Sequence, residues 1–274
     1  MSKIGKAFQR RRVVITGAAG GIGRALGEKL LEAGAEVWAV DLDEIGLVAW
    51  EREARKLGQK VHPVVGDVSE ETTLERALRE ASPVDVWINN AGVSGLGEFK
   101  KLTGEQFDRV IEINLQAVVK GTRLALKDME SRGKGRIVNV ASVAGHLAPP
   151  FMSAYVATKH AVVGFTRALR EELRLSGSSV KLSLVSPGFV NTSILAKGQT
   201  LGFPKWLEWA LVSPNTVARE ILAALARGEA EVFPTWNGRL MLRMYRLFPR
   251  TTIRGSKVLL ARSFKDWLLN HYPL

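Results

Sequence analysis

The chain of 274 residues is 46% hydrophobic and 24% charged, with 26 glycines and 10 prolines, a composition that excludes disorder, collagen and coiled coil and can bury a sizeable core. It has no cysteine, which removes disulfides, zinc-thiolate sites and thiol nucleophiles together and fits a reducing compartment. Residues 1–12 carry five basic residues and no acid, and residues 239–274 eight against one, so the two ends account for the whole net charge of +12; a neutral body without a basic groove points away from nucleic acid.

Residues 1–12 read as a basic arm that runs directly into a strand and lacks the apolar stretch of a secretory signal. From residue 13 onward, short β-branched runs alternate with amphipathic helical segments. This pattern predicts a Rossmann-type, doubly wound α/β fold with a seven-stranded parallel sheet, in a single domain over 13–236. The predicted strands are Arg12–Thr16, Glu36–Asp41, Val61–Asp67, Val84–Asn89, Arg136–Ala141, Lys181–Ser186 and Glu231–Pro234. The predicted helices are Ile22–Ala33, Asp43–Leu57, Glu70–Ala81, Thr103–Ser131, Ser153–Ser176 and Pro214–Arg227. The strands lack strict alternation, as expected where both sheet faces are covered. The uncharged window Ile137–Thr158 carries Asn139, Ser142, His146, Pro149, Pro150, Ser153 and Tyr155, so it reads as a strand and loop and not as a membrane span.

The first strand leads into a turn holding Gly17, Ala19, Gly21, Ile22 and Gly23 that opens a helix. Gly17 permits the tight turn, Gly21 lets backbone approach a pyrophosphate, and Gly23 lets helix pack on strand, while the helix start offers N–H groups to phosphate. Asp41 closes the second strand, where a carboxylate accepts hydrogen bonds from a ribose and repels a 2′-phosphate. NAD is therefore favoured over NADP; the other reading of this strand end is a helix cap, which Asp43 can supply.

Tyr155 and Lys159 lie four apart and share a helix face; an adjacent ammonium and a cationic nicotinamide favour the phenolate form of such a tyrosine. Ser142 follows the strand Arg136–Ala141, thirteen residues earlier, where its hydroxyl can hold the same substrate oxygen. With Asn89-Asn90-Ala91-Gly92, Asn114, and Pro187-Gly188 followed by Thr192, these motifs resemble the short-chain dehydrogenase/reductase family over residues 13 to about 236. The resemblance implies that Tyr155 is the acid/base, that Lys159 lowers its pKa and binds ribose, that Ser142 orients substrate and that Asn114 holds a relay water. It further implies adenine contacts from Asp67 and Val68, a cofactor-side turn at Asn90, Ala91 and Gly92, and a nicotinamide loop of Pro187, Gly188, Val190 and Thr192. Family members assemble as homodimers or homotetramers.

Residues 195–213 are too aromatic for a solvated connection and read as a lid. Phe203 and Trp206 are expected to wall an apolar substrate such as a steroid, a retinoid-like or a long-chain alcohol, with Val143 and His146 beside Ser142. The four histidines show no ligand spacing, so no metal is expected. In the extension 237–274, Arg239, Arg243, Arg246 and Arg250 form one helical stripe opposite Leu240, Met241, Met244, Tyr245, Leu247 and Phe248, the pattern of a helix lying in an anionic membrane surface. The expectation is a cytoplasmic oxidoreductase, peripherally attached, that interconverts an alcohol and its carbonyl. The other readings are an NADPH-dependent carbonyl or 3-oxoacyl reductase and a dinucleotide-binding regulatory or scaffold protein.

Overall fold

All seven β-branched runs form strands in the computed structural model, which describes residues 3–95, 97–192 and 210–248. They are β1 (Arg12–Thr16), β2 (Glu36–Asp41), β3 (Val61–Val65), β4 (Val86–Asn89), β5 (Arg136–Val140), β6 (Lys181–Val185) and β7 (Glu231–Val232). Every pairing is parallel, in the order β3-β2-β1-β4-β5-β6-β7. The chain changes winding direction between β1 and β4, and a crevice opens there at the carboxyl ends of the strands. Successive residues of β1 face opposite layers, so Val13 and Ile15 pack with Leu26, Leu30, Trp50 and Ile221, whereas Val14 packs with Leu74, Trp87 and Met129. Two apolar cores on one sheet explain why its strands read as unbroken hydrophobic runs.

The helices are α1 (Lys3–Phe8), α2 (Gly21–Glu32), α3 (Glu44–Lys56), α4 (Glu71–Ala81), α5 (Gly104–Ile111), α6 (Ala117–Ser131), α7 (Ser153–Leu175), α8 (Pro214–Ala226) and α9 (Trp236–Leu247). Four expectations are corrected. The arm at 1–12 is not simply a polar lead-in, because α1 buries Phe8 against the core that holds Leu30 and Leu222, with Ile4 packed beside it. The long helix expected over Thr103–Ser131 starts at a Thr103–Gln106 capping box and is broken by a π turn, Glu112–Gln116. The boundary placed at 236–237 falls inside the start of α9, whose Asn237, Gly238 and Leu242 are buried against the body. Its apolar residues also do not share one side: Met241, Leu242 and Tyr245 pack with Val143 and Leu147, while Leu240, Met244 and Leu247 face outward.

Candidate active site

The glycine turn folds as its composition requires. Gly17 and Gly21 have φ of 64° and 55°, a region that costs other residues strain. A Cβ on Gly23 would lie 2.0 Å from the Gly17 carbonyl oxygen, and one on Gly17 would lie 2.8 Å from Ala91 Cα. The turn is clasped from below: Asn90 Nδ2 donates to the carbonyls of Thr16 and Gly17 (3.0 Å each), and Thr16 Oγ1 accepts from the N–H groups of Asn90 (3.0 Å) and Ala91 (3.1 Å). At the start of α2, Gly20 provides no side-chain cap, so no side chain competes for the N–H groups of the first turn. Asp41 lies alongside, accepting from Ala19 N–H (2.9 Å) and Asp43 N–H (3.1 Å). The cap of α3 comes from Asp43, which accepts from Gly46 N–H at 2.9 Å. Thr192 stands over the turn, with side-chain atoms 3.2 and 3.3 Å from where a Gly21 Cβ would be, and borders a cleft of about 370 Å³ with Arg24 and Asn215. A bare glycine cradle, an uncapped helix start and a neighbouring carboxylate fit a dinucleotide.

Across the crevice, β5 delivers Ser142, whose Oγ accepts from Ala144 N–H at 3.1 Å and hydrogen-bonds Tyr155. Tyr155 and Lys159 sit on successive turns of α7. Lys159 is buried, donates to the Val140 carbonyl at 3.0 Å and lies over the Tyr155 ring, 5.6 Å from its centroid. Burial lowers its pKa to about 8. Burial also raises the pKa of Tyr155, with the Ser142 hydrogen bond working against it, so these residues by themselves hold the phenol in its protonated form. Asn114 occupies the π turn, a bulge often found where a helix must aim a functional side chain. It donates to the Val93 carbonyl (2.9 Å) and Thr158 Oγ1 (3.3 Å) and accepts from Val93 N–H (2.8 Å). Asn114 Oδ1 and Lys159 Nζ both border Gly92, at 3.1 and 3.6 Å from where its Cβ would be.

Beneath these residues Trp87, Asn89, Asn139 and Thr166 form a buried hydrogen-bond chain, with links of 2.7, 2.8 and 3.0 Å, that joins β4, β5 and α7. A fully connected polar network of this kind fixes the ends of the strands it joins.

Other side chains expected near cofactor or substrate also have partners within the protein. Asp67 is engaged by Ser69, through its N–H (2.9 Å) and hydroxyl (2.8 Å), and by Arg109. Partial burial pushes its carboxyl up, and these bonds together outweigh that and hold it low. Val68 packs with Trp38 and Leu74, and Val190 lies in the opposite core, its strand segment bridged to Val212. The Val143 N–H donates to the Pro187 carbonyl and its side chain packs on Leu242. His146 turns inward, Nε2 lying 3.0 Å from Ser186 Oγ and the ring 5.4 Å from that of Phe233. Its pKa falls to about 4, first through burial and then through the nearby guanidiniums of Arg167 and Arg246, against Glu231. Phe203 and Trp206, and most of the expected lid, lie outside the described residues. Among the described residues no group of acids and histidines could hold a metal.

Two residues with no sequence signal hold the loop after β6. Thr235 Oγ1 accepts from Gly188 N–H at 2.9 Å, and Asn237 accepts from Phe189 N–H (3.3 Å) while donating to the carbonyls of Phe189 (3.1 Å) and Ala210 (2.6 Å). Phe151, with φ of 62°, precedes α7. With Gly97, Phe99 and Ser153 it lines a second cleft, of about 440 Å³.

Sheet order, glycine turn and the cluster on α7 together define a dinucleotide-binding oxidoreductase. The chain belongs to the short-chain dehydrogenase/reductase family, whose short chain dehydrogenase model matches residues 11–200. It is 36% identical to a Mycobacterium tuberculosis protein named as oxidoreductase SadH (82% of this chain, 86% of that one). It is 31% identical to Rattus norvegicus estradiol 17-beta-dehydrogenase 11 (86% and 79%) and 31% identical to the ketoacyl reductase HetN of a Nostoc strain (89% and 87%). Among solved structures it resembles a Burkholderia phymatum short chain dehydrogenase/reductase in complex with NAD, with a TM-score of 0.79 and 29% identity (87% and 94% covered). It also resembles a Sphingobium yanoikuyae short-chain dehydrogenase in complex with NADPH, with a TM-score of 0.74 and 28% identity (82% and 87%).

Proposed function

We propose that the protein interconverts an alcohol and its carbonyl on a bulky apolar substrate with NAD(H). The observation that carries this reading is the convergence of Ser142, Tyr155, Lys159 and Asn114 at the carboxyl edge of the sheet, facing the glycine turn. Bound across the crevice, the nicotinamide cofactor supplies hydride transfer. The chain's own residues handle the proton. Ser142 and Tyr155 hold the substrate oxygen, and the Tyr155 hydroxyl gives up its proton as a carbonyl becomes an alcohol and takes one in the reverse direction. Lys159, charged at neutral pH, stabilises the phenolate that this exchange leaves, and Asn114, fixed at three hydrogen bonds, lines the route by which the proton is replaced.

Asp41 supports NAD over NADP, since its carboxylate beside Ala19 would repel a 2′-phosphate. The resemblance to an estradiol dehydrogenase supports an apolar substrate. The family resemblance supports a homodimer or homotetramer, which light scattering of the purified chain checks. Turnover of the purified protein across a panel of steroid, retinoid and long-chain alcohols, with each nucleotide in turn, tests the reading. Tyr155→Phe is expected to abolish turnover and leave nucleotide binding nearly unchanged. Asp41→Ser with Leu42→Arg is expected to move preference toward NADP by about tenfold or more. A wild-type protein that prefers NADP, with 3-oxoacyl substrates, would instead establish the reductase reading. Nucleotide binding without turnover on any substrate would establish a regulatory role.

A further inference from the structure

Helix α9 presents three faces. One, with Asn237, Leu242 and Tyr245, packs on the body. A second is an apolar row that the fold leaves outside: Leu240 and Met244 are each 49% exposed and Leu247 is 71% exposed, at the spacing of four and three that makes one stripe. The third, beside that row, carries the exposed Arg239, Arg243 and Arg246. No acidic residue occurs from Val232 to Phe248.

An exposed row of aliphatic side chains marks a docking surface, and its flank of cations selects an anionic partner. Nucleic acid offers nothing to such a row, which lacks the stacking rings that single strands require. No helix among the described residues is long and apolar enough to cross a membrane. An apolar stripe beside an arginine stripe suits a helix lying flat at the boundary between headgroups and acyl chains. The sequence that follows, 249–274, adds five basic residues against one acid, the same sign of charge.

We propose that α9 docks the protein on an anionic lipid surface, with Leu240, Met244 and Leu247 entering the boundary and Arg243 and Arg246 meeting the anionic headgroups. Because Thr235 and Asn237 at the start of α9 hold the Gly188–Phe189 loop, docking sets the orientation of the active-site crevice relative to the membrane. The inference concerns the surface alone and stands whether or not the substrate is apolar.

The test is co-sedimentation of the full chain with vesicles of phosphatidylcholine, alone or with about one-third phosphatidylserine. The wild type is expected to sediment with the anionic vesicles, to remain free of the neutral ones, and to be released as salt rises. Arg243→Gln with Arg246→Gln is expected to weaken binding about thirtyfold, given a contribution of about fivefold per basic side chain. The triple variant Leu240→Ser, Met244→Ser, Leu247→Ser is expected to lose most binding, with its melting curve confirming the fold. If the triple variant misfolds, the arginine pair, which sits outside the core, decides alone. A wild type that ignores anionic vesicles overturns the proposal, as does wild-type affinity in both variants. So does a triple variant whose solution mass drops while its vesicle binding stays, which would make the row a contact between copies of the chain.

Discussion

Lys159 is 4% exposed, and burial brings its pKa to about 8. At pH 7 the folded protein therefore holds a buried ammonium at a cost relative to the unfolded chain, where the same amine titrates near its ordinary value of 10.5. Lys159→Met keeps the volume and removes the charge, so it is expected to abolish turnover yet stabilise the protein at pH 7 by about 2 kcal/mol, after allowing for the lost bond to Val140. Between pH 8 and 10.5 the unfolded chain binds the proton that the folded one has shed, so wild-type stability rises and the variant's advantage shrinks. Denaturant unfolding at pH 7 and at pH 10 measures both. His146 works in the acid direction. Its folded pKa of about 4 lies below its ordinary 6.5, so the unfolded state gains a proton first, and stability is lost as pH falls from about 6.5 to 4. His146→Gln, which keeps a polar partner for Ser186, is expected to flatten that limb of a melting-temperature profile.

At the scale of elements, the Gly188–Phe189 segment after β6 and the carbonyl of Ala210 depend on the start of α9. Asn237 makes three hydrogen bonds from a buried position, so Asn237→Ala leaves backbone groups of Phe189 and Ala210 without partners, at a cost of about 2 kcal/mol. The expected result is a lower denaturation midpoint together with weaker nucleotide binding, read by nucleotide titration; unchanged binding would separate the loop from the cofactor site. This dependence was invisible in the sequence, where an asparagine next to a basic, amphipathic run looked like the start of an appendage. The elements themselves were legible because β-branched runs and helical periods alternate cleanly. Tyr155, Lys159 and the glycine turn were legible because helix spacing and backbone clearance impose their residue types. What could not be read were interactions set by packing at a distance: the π turn at Asn114, the contact of Asp67 with Arg109, and the direction in which His146 and Val143 point. Each is decided by a neighbour far along the chain.

For the molecule as a whole, the strand order places the first three strands on one flank of the sheet and the last four on the other, with β1 and β4 joined at the centre. Charge follows a different division, with a neutral body and cations at both ends. Both basic ends are themselves partly structural, since α1 anchors through Phe8 and α9 through Leu242. The same architecture has a consequence for biosynthesis. Thr235 and Asn237 leave the ribosome after Gly188, Phe189 and Ala210, so a nascent chain can assemble most of its sheet while the Gly188–Phe189 segment still lacks its clasp. The order of translation thus separates acquisition of a folded core from completion of the crevice.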